Sequence, residues 1–339
     1  EGITGDDLVT FINGQLFPGL KELPVSGKPG DRRRVVRDVF EDAYNYMKSG
    51  QLMRQVVNKI HQVDFNNLAE RQHFGDIYEQ ILNDLQSAGN AGEYYTPRPV
   101  TQFMVEMVDP RLGEKVLDPA CGTGGFLTST IEHVRRHQVK TVEDEQRLQH
   151  SIHGVEKKPL PHLLCTTNMI LHGLDVPTNV RHDNTLARPL RDYGPRDRVD
   201  VIITNPPFGG MEEDGIETNF PATFRTRETA DLFLVLIMHL LKDGGRAALV
   251  LPDGTLFGEG VKTAATSPPD RPTPRPSRTI GAARDEFILA RSAHQRCATF
   301  SPTAHPARAR RRRVSSLIAV PFPSWLATWN ADRRRRHIG

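Results

Sequence analysis

The pattern of this chain predicts an α/β fold, a parallel and doubly wound sheet preceded by a small all-helical region. Three observations carry that expectation. Over residues 1–90 the apolar positions recur at intervals of three and four, which places them along one helix face. From about residue 91, short apolar runs alternate with helical segments, the order that builds strand–helix–strand units and a parallel sheet. Between the first such strand and helix stands a glycine-rich turn, DPACGTGGF at 118–126.

Taken in order, Val35, Val36, Val39, Phe40, Ala43, Tyr44 and Met47 mark a first helix, and Gly50 is expected to interrupt it. Phe65, Leu68, Phe74, Ile77, Tyr78, Ile81, Leu82 and Leu85 write a second, with Asp64 or Asn66 placed to cap its start and Gly89 its end. Residues 1–90 are therefore assigned to a helical domain, with Arg32, Arg33 and Arg34 on its solvated edge. The sheet domain, 91–262, opens on the strand EKVL at 114–117 and continues through a helix at 126–134, a strand at 151–155 and a helix at 161–171. The strand DVIIT at 200–204, a buried helix at 232–241 and the strand RAALVL at 246–251 follow. Sheets of this kind bind ligands at the carboxyl ends of their strands, where the unusual residues of this chain fall.

Composition removes several classes. The longest apolar run, Leu232 to Met238, is far short of the ~20 residues a bilayer-spanning helix needs, and no charged-then-apolar leader opens the chain. A membrane or secreted protein is not expected; a cytoplasmic one is. Cys121, Cys165 and Cys297 are too widely spaced for a chelating pair, so neither a zinc site nor a disulfide framework is expected. Glu1 in place of Met fits a trimmed or partial reading frame.

Charge divides the chain. Residues 263–339 hold fifteen Arg, no Lys and four acidic residues, net +11, which leaves 29 basic and 37 acidic residues in 1–262, net −8. An acidic body does not favour independent gripping of DNA, which draws on counterion release at a basic face. The last segment also holds nine prolines and has no sustained apolar period before Leu317–Phe322. Such composition is not expected to pack. Its abrupt onset in mid-domain is the pattern of a disordered tail or of an out-of-frame reading of a GC-rich gene, and either leaves the sheet incomplete.

Chemistry concentrates in four places. In the glycine turn, Gly122, Thr123, Gly124 and Gly125 let a ligand approach the backbone, and Asp118 ends the strand. The dinucleotide fingerprint fails because Leu127 stands where its third small residue belongs. An acidic, glycine-lined pocket with no pyrophosphate cradle suits instead the cationic sulfonium and ammonium of S-adenosylmethionine, although a plain strand-to-helix turn has the same pattern. Glu156 ends the next strand and can accept from both ribose hydroxyls; Asp183, in RHDN at 181–184, can accept from an adenine amine. Thr96 is placed to cap a helix beginning at Pro97, whose free amides suit the cofactor carboxylate, within EYYTPRP at 93–99.

The fourth is Asn205-Pro206-Pro207-Phe208, directly after DVIIT. The lone pair of the adenine N6 amine is delocalised into the ring. If the Asn205 side-chain oxygen and the Pro206 carbonyl accept its two hydrogens, charge density stays on nitrogen as it attacks a methyl carbon. Two prolines hold both acceptors on stiff backbone, which favours alignment, and Phe208 can stack on a base flipped out of the duplex.

With FGDIYEQIL (74–82), GEYYTPRPV (92–100), DPACGTGGFL (118–127), GVEKKP (154–159), TNPPFGG (204–210) and LPDGTLFGEGVKT (251–263), residues 1–262 resemble the methylation subunit of type I restriction-modification systems. The resemblance implies a helical domain followed by a Rossmann-like, seven-stranded S-adenosylmethionine-dependent methyltransferase sheet, and methyl transfer to adenine N6 in double-stranded DNA. Carried over by motif, Glu93, Tyr94, Tyr95, Thr96, Pro97, Arg98 and Thr123 to Gly125 line the cofactor site, Asp118 and Glu156 hold its polar ends, and Asn205 to Phe208 form the catalytic loop. The implied partners are a specificity subunit that reads the DNA target, a restriction subunit and a second methylation subunit. Past GVKT the chain departs from the family pattern. Two other readings stay open: a shortened remnant that binds cofactor or partners without turnover, and methylation of a protein glutamine amide.

Overall fold

The structure is a computed structural model that describes residues 3–27, 31–88, 96–175, 177–207, 210–251, 287–289 and 316–321. Five α-helices open it: α1 (Gly5–Phe11), α2 (Phe17–Lys21), α3 (Arg32–Phe40), α4 (Gly50–Ile60) and α5 (Leu68–Ala88), with a π-helical turn at Ile12–Leu16. The Asp31 carboxylate accepts the Arg33 amide and caps α3. That helix ends at Phe40 instead of running to Met47. The Asn45 side chain both accepts the Met47 amide (2.9 Å) and donates to its carbonyl (3.0 Å), a local bonding pattern that competes with a helix. Gly50 starts α4 where the sequence pattern places a break. Ser49 caps it, accepting the Leu52 amide, and a β-carbon on Gly50 would collide with the Gly5 carbonyl. This glycine serves close helix contact. The start expected for the second helix differs as well, since α5 begins at Leu68; the end cap expected at Gly89 lies outside the described residues.

The second layer system comprises α6 (Arg98–Val108), β1 (Val116–Asp118), α7 (Gly125–Gln138), α8 (Val142–Ser151), β2 (Ile152–Glu156), α9 (Pro159–Leu171), β3 (Val180–His182), β4 (Val199–Thr204), α10 (Thr229–Leu240), β5 (Leu241–Leu251), β6 (Phe287–Leu289) and β7 (Ser316–Pro321). The strand order is β3-β2-β1-β4-β5-β7-β6, with every pair parallel. Alternation along each strand divides the core into two faces. Val201, Ile203, Ala248 and Val250 pack with α6, α7 and α9 residues such as Met104, Ile131 and Met169, while Ile202, Ala247, Leu249 and Leu251 pack under α10. Helix α10 is buried from Thr229 through Ile237, which explains its unbroken apolar run.

The chain winds from β1 outward to β3 and then returns to place β4 on the other side of β1. This is a topological switch point, and it sets the carboxyl ends of β1 and β4 side by side, with Leu117 opposite Ile202. The expectation of a sheet left incomplete is corrected here. The apolar runs Phe287–Leu289 and Ser316–Pro321 add two strands beyond β5, and β7 satisfies the edge that β5 would otherwise leave unpaired. The rest of 263–339 lies outside the described residues. Among the described residues no helix is long and apolar enough to cross a membrane.

Candidate functional site

An open cavity of about 240 Å³ lies at the carboxyl ends of β1, β2 and β4. The turn after β1 enters it through a buried carboxylate. Asp118 is 1% exposed; its Oδ1 accepts the Ala120 amide (3.1 Å), while its Oδ2 has no hydrogen bond of good geometry. Burial pushes its pKa up to about 7, with Glu156 adding in the same sense and the Thr204 hydroxyl and Ala120 amide opposing. The turn is then locked from behind. The Cys121 amide donates to Val155 (3.0 Å), the Gly124 amide to Cys121 (2.8 Å), and the Asn168 side chain to the Thr123 carbonyl (3.1 Å).

Gly122 and Gly124 both have positive φ, +54° and +87°, a region that side-chain-bearing residues enter at a cost. They differ in what surrounds them. A β-carbon on Gly124 would stand 2.8 Å from Cys165 Sγ and 2.9 Å from Met169 Cε, whereas one on Gly122 would meet nothing within 4 Å. Gly124 thus permits packing against α9, and Gly122 faces the cavity.

Glu156, at the end of β2, accepts the Gly122 amide on one oxygen (2.9 Å) and the Lys158 amide on the other (2.7 Å), which fixes the carboxylate beside the glycine turn. Asp183 directly follows β3; its amide donates to the Glu156 carbonyl (3.0 Å) and its side chain is 52% exposed, 3.7 Å from Arg181. All four acidic or glycine positions Asp118, Gly122, Glu156 and Asp183 line the same cavity.

Across it stands the loop after β4. Asn205 and Pro206 line the cavity together with Pro207 and Thr96. The Asn205 Nδ2 donates to the Thr96 hydroxyl (3.0 Å), and its Oδ1 is buried with no hydrogen-bond partner. A buried acceptor left open at the wall of a cavity is costly unless something in the cavity uses it. Thr96 therefore does not cap α6: Pro97 is the N-cap residue, no side chain caps the helix, and the Thr96 hydroxyl is turned to Asn205 instead. This pairing over 109 residues has no sequence signal, and neither does the presence of Phe233 and Thr185 along the cavity.

Thr123 and Gly125 also line the cavity. Pro97, Arg98 and Gly124 are not among its lining residues. The Arg98 guanidinium is held instead by Glu79 (2.8 and 3.0 Å), by the Thr128 hydroxyl (3.0 Å) and by Glu132. His172 Nε2 lies 3.5 Å from each of the same two carboxylates. Arg98 thereby ties α5 to α6 and α7. Replacing it with Met is expected to cost roughly 1–3 kcal/mol of unfolding free energy in urea titration, because two half-buried carboxylates lose their main partner, while cofactor affinity stays within about threefold. Glu93, Tyr94, Tyr95 and Phe208 lie outside the described residues. Among the described residues no group of three potential metal ligands occurs.

Comparison with known proteins shows the family. A family model described as N-6 DNA Methylase matches residues 69–266, more than half of the chain. The type I restriction enzyme EcoEI methylase subunit of Escherichia coli is 65% identical over 263 residues, covering 78% of this chain and 53% of the relative. Among solved structures, a modification subunit from Vibrio vulnificus YJ016, assigned to a type I restriction enzyme, superposes with a TM-score of 0.69 at 49% identity over 78% of this chain and 58% of that one. A chain from a structure concerned with complex assembly of the type I restriction-modification system superposes equally well, at 39% identity over 77% of this chain and 53% of that one. The chain spans about half the length of the curated relatives it matches.

Proposed function

The chain belongs to the N-6 DNA methylase family, and on that premise we propose that it transfers methyl groups from S-adenosylmethionine to adenine N6 in double-stranded DNA, as the modification subunit of a cytoplasmic type I restriction-modification complex. The observation that carries this reading is the buried, unpartnered Asn205 Oδ1 on the same cavity as Asp118, Gly122 and Glu156. A specificity subunit that reads the target, a restriction subunit and a second copy of this chain complete the assembly we infer.

The residues present fit the cofactor. The unpaired Oδ2 of Asp118 suits a cationic group, the space beside Gly122 admits a ligand against the backbone, and the Gly122 and Lys158 amides fix the Glu156 carboxylate beside that space. The cofactor supplies an electrophilic methyl group. The protein's part is to hold the acceptor amine: Asn205 Oδ1 and the Pro206 carbonyl accept hydrogen bonds from its two N–H groups, keep electron density on nitrogen, and stabilise the positive charge that develops there until one proton is lost to water. Because Pro206 and Pro207 stiffen the loop, both acceptors meet the amine in a preset geometry, which lowers the entropic part of the barrier.

Asp118 gives this reading a pH signature. Burial lets the carboxyl keep its proton to about pH 7, while in the unfolded chain it loses it near 3.9. The native state therefore binds more protons across that window, and the stability Asp118 contributes without ligand falls as pH rises from about 4 to 7. A cationic ligand selects the ionised carboxylate, so cofactor affinity is expected to rise about tenfold between pH 6 and pH 8, with proton uptake by buffer at the lower pH. Calorimetric titration in buffers of different ionisation enthalpy measures both. Asp118→Asn is expected to bind weakly and without that slope.

The test of function is transfer of tritiated methyl groups to unmethylated DNA, with and without a specificity subunit, followed by digestion to nucleosides. Label in N6-methyladenine is expected. Label only on protein glutamine moves the site to amide methylation, and cofactor binding without label on either substrate makes the chain a binding remnant.

A further inference from the structure

On the methyl-transfer reading given above, we propose that Thr96 is a positioning residue that holds the Asn205 amide with its oxygen toward the acceptor amine. The Thr96 hydroxyl accepts from Asn205 Nδ2 at 3.0 Å, and this is the bond that leaves Oδ1, on the other end of a planar group, buried and without a partner in a residue that lines the cavity. An amide rotates about the bond to its sp² carbon in a broad, roughly two-fold well. Without a fixed partner on nitrogen, the acceptor and donor ends of Asn205 exchange places, and a donor facing the amine repels it.

Both ends of this bond sit on stiff backbone. Thr96 precedes Pro97, which restricts it to extended conformations, and Arg98, two residues on, is anchored by Glu79, Thr128 and Glu132. Asn205 follows the central strand β4 and precedes two prolines. Thr96 is thus a fixed post standing on the segment that joins α5 to α6, and the acceptor geometry of the β4 loop depends on a part of the chain distant in sequence. Nothing in the cavity shows Thr96 bonded to another protein group that would compete for this bond among the described residues.

Two readouts test it, on the full chain with a specificity subunit. The first is the Asn205 side-chain amide resonance in asparagine-labelled protein, identified as the signal pair that Asn205→Ala deletes. Thr96→Val, which keeps shape and removes the hydroxyl, is expected to speed water exchange of that pair by at least about tenfold, while Thr96→Ser stays within about threefold of the parent. The second is transfer kinetics. Thr96→Val is expected to lower kcat by roughly ten- to hundredfold with KM for cofactor within about threefold, Thr96→Ser to restore the rate, and Thr96→Val to add no further loss on an Asn205→Ala background. An unchanged Asn205 amide signal in Thr96→Val overturns the inference. So does a KM for cofactor raised more than tenfold with kcat intact, which assigns Thr96 to the cofactor. Absence of transfer by the parent chain defeats the methyl-transfer reading itself and leaves the amide signal to decide the Thr96 bond.

Discussion

Asn205→Ala is expected to lower methyl transfer by about 10² to 10³-fold while the chain still binds cofactor with nearly unchanged affinity. The expectation follows from where the two halves of the site lie. The acids and glycines that suit the cofactor stand on β1, β2 and β3, and the Asn205 oxygen stands alone on the loop after β4. Truncation removes one preset acceptor aimed at the reacting amine, a loss that costs about 10² to 10³ in turnover where such groups have been deleted. It also releases the Thr96 hydroxyl from its partner. Because Asn205 does not hold the glycine turn or Glu156, the cofactor side of the cavity keeps its form. Tritium transfer and calorimetric cofactor titration, run on the same preparation, check both statements. A mutant that transfers at the parent rate excludes the amine-accepting role.

The two glycines of the cofactor turn are expected to fail in opposite ways. Gly124→Ala forces a side chain into a positive-φ position at about 1–2 kcal/mol and drives its β-carbon into Cys165 and Met169, 2.8 and 2.9 Å away in the α9 packing, at about 1–3 kcal/mol more. Unfolding in urea is therefore expected to show a loss of roughly 2–5 kcal/mol in all. Gly122→Ala bears the conformational cost alone, since its β-carbon meets nothing within 4 Å. That space is the cavity, so the added methyl group is expected to reduce cofactor affinity by tenfold or more with a much smaller loss of stability. Equal stability losses in the two variants would contradict the assignment of one glycine to packing and the other to the ligand.

Much of this arrangement was legible in the residues because it is local. The strand DVIIT reads as a strand of a parallel sheet and is one, buried from Val201 to Thr204, and the turn at 118–126 sits between strand and helix as its glycines require. The carboxylates Asp118 and Glu156 could be placed because a parallel sheet brings its strand ends to one rim. Features set by tertiary contact were not legible. Gly50 carries the composition of a helix breaker, yet its role is decided by Gly5, 45 residues away. Thr96 has the pattern of a helix cap, and Asn205 claims its hydroxyl across the site. Arg98 neighbours the cofactor motif in sequence, but two carboxylates on α5 and α7 hold its guanidinium. The edge strands β6 and β7 rest on two short apolar runs within a segment whose overall composition argues against packing, and average composition hides them.

The central claim is that the acid-walled glycine turn and the proline-braced Asn205 face one cavity and can engage the two ends of a single transfer. A crystal structure of the chain with S-adenosylhomocysteine tests it most directly. The account predicts the thioether sulfur between Asp118 and Asn205, placed so that a methyl group on it would reach an amine bonded to Asn205 Oδ1 at a near-attack distance of roughly 3–3.5 Å. Ligand bound on another face of the sheet, or with its sulfur turned away from Asn205, would contradict it.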